Sequence, residues 1–128
     1  MPTLEDAAAL ALALPGVTEG VRYGKSAWFV GKACFAWERP LTQADLERWG
    51  EALAPEGPLV GLSTADLGEK EAILAEGRPG VFTITHFDGY PAVLVALSAV
   101  GRKDLKELIT DAWLSVAPAE LTADRLQP

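Results

Sequence analysis

The sequence predicts a single α+β domain with an antiparallel sheet of about five strands, flanked by N- and C-terminal helices. Three observations predict it. Both ends of the chain carry apolar residues at helical spacing. The stretch Val17–Arg39 is rich in Val, Tyr, Trp and Phe and is punctuated by glycines. The strands and helices that follow do not alternate strictly, which argues against a parallel sheet. The 128 residues, 49% of them hydrophobic and 23% charged, suit one domain spanning 1–128 with one core.

The first helix opens at Thr3, with Asp6 three residues on, a variant of the capping box. Leu4, Ala8, Ala11 and Leu14 share a face, and Pro15-Gly16 ends the helix. Val17–Arg39 then reads as three short strands. Ser26–Val30 pairs with Ala33–Glu38 across Gly31-Lys32, where glycine at the first turn position suits a type II′ hairpin. Alternation puts Trp28 and Val30 on one face, Phe29 on the other, and Phe35 and Trp37 together.

A helix over about 43–53 follows. Thr42 is its cap, Leu41 and Leu46 form a hydrophobic staple, and Leu46, Trp49 and Leu53 form its stripe. Pro55, Gly57 and Pro58 end it. Leu59–Ser63 is a strand. Ser63 or Thr64 caps a helix that runs to about Glu76 and stops at Gly77. Val81–Thr85 and Ala92–Ser98 are strands joined through the Asp88-Gly89 turn. The last helix runs from Arg102 to Val116, with Leu105, Leu108, Ile109, Ala112, Trp113 and Val116 on its inner face. The tail from Leu121 is expected to fray.

The formal net charge is −7. That disfavours non-specific attraction to phosphate polymers. The charge is unevenly spread, however. Residues 20–40 hold Arg22, Lys25, Lys32 and Arg39 against Glu38 alone, and an acidic segment follows. No apolar run is long enough for a membrane span, and the N-terminus has no basic region of the signal-peptide kind. The single cysteine, Cys34, points to a reducing compartment, so a cytoplasmic protein is expected. It reads as a small buried hydrophobe.

One His and one Cys leave no soft-ligand pair at metal-site spacing, so neither a metal nor a cofactor is expected. The glycine-rich nucleotide motifs and the nucleophile elbow are absent, and the expectation is a binding protein rather than an enzyme. His86 and Asp88 are the only local acid/base pair. Together with Tyr90 they form a candidate ligand groove. Asp88 also suits a turn beside Gly89, and His86 suits the edge of the core.

Bases interleave with aromatics from Arg22 to Lys32. Arg22, Lys25, Trp28, Lys32 and Arg39 are candidate nucleic-acid contacts, since basic side chains reach phosphates and aromatics stack on unpaired bases. A solvated hairpin with its Trp and Phe in the core accounts for the same residues.

Three blocks, in order and spacing, resemble the MmcQ/YjbR family. The first is Leu14-Pro15-Gly16-Val17-Thr18-Glu19 followed by Gly31-Lys32-Ala33-Cys34-Phe35-Ala36. The second runs from Phe82 through His86-Phe87-Asp88-Gly89-Tyr90-Pro91 to Leu97. The third is Leu105 to Pro118, with Asp111-Ala112-Trp113 inside it. The resemblance implies an α-β-β-β-α-β-β-α order similar to secretion-chaperone-like domains, with residues 41–57 as an inserted helix relative to shorter members. It also implies a DNA-binding label, through a double-wing arrangement of hairpins. The net charge of −7 favours the alternative, a module for a protein or small-ligand partner. A monomer or homodimer fits either.

Overall fold

Thr3 opens the first helix. Its hydroxyl accepts the Asp6 amide at 3.1 Å, and the Asp6 carboxylate accepts the Thr3 amide at 2.9 Å. This reciprocal pair satisfies two otherwise orphaned donors at the start of α1, Leu4–Leu12. The fold is that of a computed structural model, which describes residues 2–49, 55 and 57–126.

Three strands follow, β1 (Val17–Arg22), β2 (Lys25–Val30) and β3 (Ala33–Glu38), in an antiparallel meander. Gly31 sits at φ 60° and Lys32 is not left-handed, as a type II′ turn between β2 and β3 requires. The turn between β1 and β2 differs. Tyr23 (φ 53°) and Gly24 (φ 76°) are both left-handed, the signature of type I′.

One expectation fails inside β3. Trp28 pairs with Ala36 but Phe29 pairs with Cys34, so β3 holds an extra residue at a bulge. Alternation breaks there. Phe35 and Ala36 both join the helix-side core with Trp28, while Trp37 and Cys34 face the opposite side with Ala27 and Phe29. Phe35 and Trp37 therefore do not point together.

Thr42 caps α2, Gln43–Trp49, with Asp45 completing a second capping box at 3.2 and 2.9 Å. The helix expected over 43–53 is thus present to Trp49; residues 50–54, including Leu53 of its stripe, lie outside the described residues. β4 is Leu59–Ser63, as read from the sequence. α3 spans Leu67–Ala75, and its cap is Asp66, which accepts the Glu69 amide at 2.8 Å. Thr64 instead donates its hydroxyl to the Asp66 carbonyl at 2.9 Å.

β5 is only Val81–Phe82. The chain leaves the sheet there and makes a 3₁₀ turn, Thr85–Phe87, which buries Phe87 against the sheet. His86 therefore lies on that turn, and its side chain is exposed. β6 is Ala92–Ala96 and α4 is Arg102–Val116. The tail is a helix rather than a frayed end: α5, Ala119–Leu126, sets the Leu121 side chain against Gly16.

The sheet has six strands in the order β1-β2-β3-β4-β6-β5, and every pairing is antiparallel. The main core lies between one face and the helices α1, α3 and α4, around Trp28, Phe35, Leu62, Val95, Leu105 and Trp113. The opposite face carries a smaller core of Ala27, Trp37, Ala92 and Leu94, closed by Ile84 and Phe87 rather than by a long helix. Among the described residues no helix is long and apolar enough to cross a membrane.

Candidate ligand groove on the open sheet face

Trp37 founds the site. Its register partner on β4 is Gly61, and a Cβ at that position would meet the indole at 2.5 Å. Glycine lets the ring lie close over the neighbouring strand. The ring is 3% exposed because Arg22 covers it, with the guanidinium carbon 4.5 Å from the ring centre. Arg22 also donates to the Tyr90 hydroxyl at 3.3 Å and lies 5.4 Å from the Tyr23 ring. The hairpin end of β1 is thereby joined to a segment 68 residues away.

That segment is held by Lys70. Its ammonium, on α3, donates to the carbonyls of Phe87 at 2.6 Å and Tyr90 at 2.9 Å, with only 6% of the residue exposed. Charge-assisted bonds of this kind are strong and directional. Burial pushes the Lys70 pKa down, and the charge of Asp88 pulls it partly back. The two aromatics so fixed meet edge to face, with centroids 5.4 Å apart, and Trp37 lies 6.4 Å from Phe87 and 6.5 Å from Tyr90.

The third wall comes from the start of α2. Arg39 pairs with Asp45 at 3.1 Å and lies 5.6 Å from the centre of the Phe87 ring. Burial opposes ionisation of Asp45. The hydrogen bonds from Thr42 and the charge of Arg39 more than offset it and hold the carboxyl below its usual range.

Between these walls lies an open groove of about 600 Å³. Its lining includes Arg22, Lys25, Arg39, His86 and Tyr90 of the residues singled out from sequence. Three bases thus face Glu38, the one acid among the described lining residues, on a chain whose net charge is −7.

Other candidates lie elsewhere. Trp28 is 2% exposed on the helix side, donating its indole N–H to Glu19 at 3.0 Å. Lys32 sits at the opposite end of β2 from Lys25, roughly 20 Å away by strand rise. Asp88 is exposed outside the groove lining. Cys34 is half-buried rather than fully enclosed and lies on the groove side of the sheet beneath the lining, where it neighbours Arg22; its thiol donates to the Ala36 carbonyl at 3.4 Å. Among the described residues, no three His, Cys, Asp or Glu side chains converge as metal ligands.

Sequence reasoning missed Lys70, Trp37, Phe87 and Tyr23 as parts of one site. Lys70 left a readable signal, because it falls three residues before Ile73 on the buried face of α3. A lysine within an apolar stripe needs a buried acceptor. Tyr23 left another, since Tyr-Gly as a two-residue turn forces the tyrosine left-handed.

The YjbR family model matches residues 12–115, from the end of α1 to the last turn of α4. The chain belongs to the YjbR family. All the groove residues named above fall inside that YjbR match. Proteins of Mycobacterium tuberculosis and Mycobacterium bovis are each 45% identical over 124 residues, covering 94% of this chain and 93% of theirs, and each is named only as an uncharacterized protein. No solved structure matches significantly.

Proposed function

We propose that this YjbR-family chain is a non-catalytic binding protein whose working surface is the open groove, and that the groove takes a small anionic ligand. The observation that carries the reading is the state of Arg22. Among the described arginine side chains, Arg39, Arg78 and Arg102 each reach a carboxylate, at 3.1, 2.8 and 3.3 Å. Arg22 reaches none. It is half-buried, fixed over Trp37 and bonded to the Tyr90 hydroxyl, with the Cys34 thiol as its other polar neighbour. A preorganised guanidinium without a counter-ion offers its remaining donors to an anion with little further ordering cost. Lys25, exposed beside it, adds a second positive charge.

Cys34 has no second cysteine to bond, which supports a reducing compartment, the cytoplasm. The groove supports a small ligand over DNA. Lys32 and Trp28 stand away from Arg22 and Lys25, so these candidate contacts form no continuous track for a phosphate backbone among the described side chains.

Titrating the ¹⁵N-labelled protein with millimolar phosphate and succinate tests the proposal. Shifts are expected to concentrate on Arg22, Lys25 and Tyr90 and to vanish in Arg22→Gln. Silence at those residues for every anion tried would end the reading. A labelled duplex that binds at low salt and is released by Lys25→Glu with Lys32→Glu would replace it with the nucleic-acid one.

A further inference from the structure

Resting on that reading, we propose that the ligand is an aromatic anion: a flat ring seated against Tyr23, carrying its carboxylate or phosphate to Arg22 and Lys25. Tyr23 is the observation that leads there. It occupies a left-handed turn position at φ 53°, which glycine or asparagine fills with less strain. Its side chain is 87% exposed, so burial does not account for a tyrosine there. Its ring lies beside Arg22, whose guanidinium is 5.4 Å from the ring centre, at the rim of the groove. Strain held at an exposed aromatic beside an unpaired charge marks a recognition position. Tyr90 faces it across Arg22 and is 39% exposed.

Size and charge agree. A groove of about 600 Å³ lies within the range of small-molecule sites and exceeds what a bare phosphate or acetate fills. Arginines already lie over Trp37 and Phe87, so the site is not an aromatic cage for a cation. The bases of the rim also attract anions locally on an acidic protein.

Calorimetry with four probes tests it: 1-naphthoate, adenosine monophosphate, succinate and inorganic phosphate. At least one of the two ring-bearing probes is expected to bind about tenfold or more tighter than its aliphatic or inorganic counterpart. An advantage for naphthoate alone assigns a carboxylate ligand, and for the nucleotide alone a phosphate ligand; both support the proposal. Tyr23→Gly, which relieves the turn, is expected to remove the advantage, while Tyr23→Phe keeps it. Equal affinity for ringed and ringless anions, or an advantage that survives Tyr23→Gly, overturns the proposal and leaves the anion groove standing. If no probe binds, the groove reading falls with it. A single-stranded oligonucleotide that binds far tighter than the mononucleotide, with steep salt dependence, also overturns it.

Discussion

Replacing Gly61 with alanine sets two effects of opposite sign against each other. In an open strand the change stabilises by about 0.4–1 kcal/mol, because the unfolded chain loses freedom. At this position the new Cβ would sit 2.5 Å from one indole carbon of Trp37 and 2.7 Å from a second, where ordinary contact begins at 3.4 Å. The ring must retreat by about 1 Å. It has nowhere easy to go, with Arg22 above it and Phe87 and Tyr90 beside it. Overpacking of this kind costs about 1–3 kcal/mol. The net expectation is a loss of about 1–2 kcal/mol, or about 4–8 °C in Tm for a domain of this size. Thermal denaturation followed by circular dichroism measures it, with near-ultraviolet signals reporting on Trp37. The same substitution in a Trp37→Leu background should cost nothing or stabilise. An unchanged or raised Tm in the parent background would refute the close-approach argument.

Three other outcomes follow. Lys70→Met should cost roughly 2–4 kcal/mol by leaving the Phe87 and Tyr90 carbonyls without their donor, measured by urea denaturation; a cost under about 0.5 kcal/mol would mean the clamp is not holding the segment. Asp45 has a folded pKa below its unfolded value of about 3.9, so its contribution is present above that pH and is lost as pH falls through the folded value. Stability profiles of the parent and Asp45→Asn should therefore converge towards acid, and a constant gap between them down to pH 2 contradicts this. Trp28→Phe should lose about 1–2 kcal/mol from its hydrogen bond and packing without altering anion titration of the groove, since Trp28 lies on the other face; weakened anion binding would argue against separate faces.

Much of the fold was legible because its signals are local. The capping pair at Thr3, the cap at Thr42, the β2–β3 turn and the apolar stripe of α4 each depend on residues within a few positions of one another. The cap of α3 was misplaced, because Ser63 and Thr64 have the right chemistry but stand two to three residues too early; Asp66 takes the Glu69 amide, and Glu69 in turn accepts the Ala65 amide at 2.9 Å. The bulge was hidden because Ala33 to Trp37 is apolar at every position, leaving no alternation to break. The candidate site was legible only in part. Arg22, Lys25, Arg39, His86 and Tyr90 stood out by residue type, but their convergence depends on a hydrogen bond across 68 residues and on a lysine from a third segment.

The bulge in β3 also lets one strand give two consecutive side chains, Phe35 and Ala36, to the helix side without turning its neighbours. Deleting Phe35 would restore strict alternation and leave Cys34 and Trp37 on the groove side and Ala36 on the helix side. The pairings with β2 and β4 would both survive, Trp37 would keep its place over Gly61, and only the Phe35 ring would be lost from the main core. One inserted residue therefore enlarges the side of the sheet built for folding and leaves the side built for recognition in register.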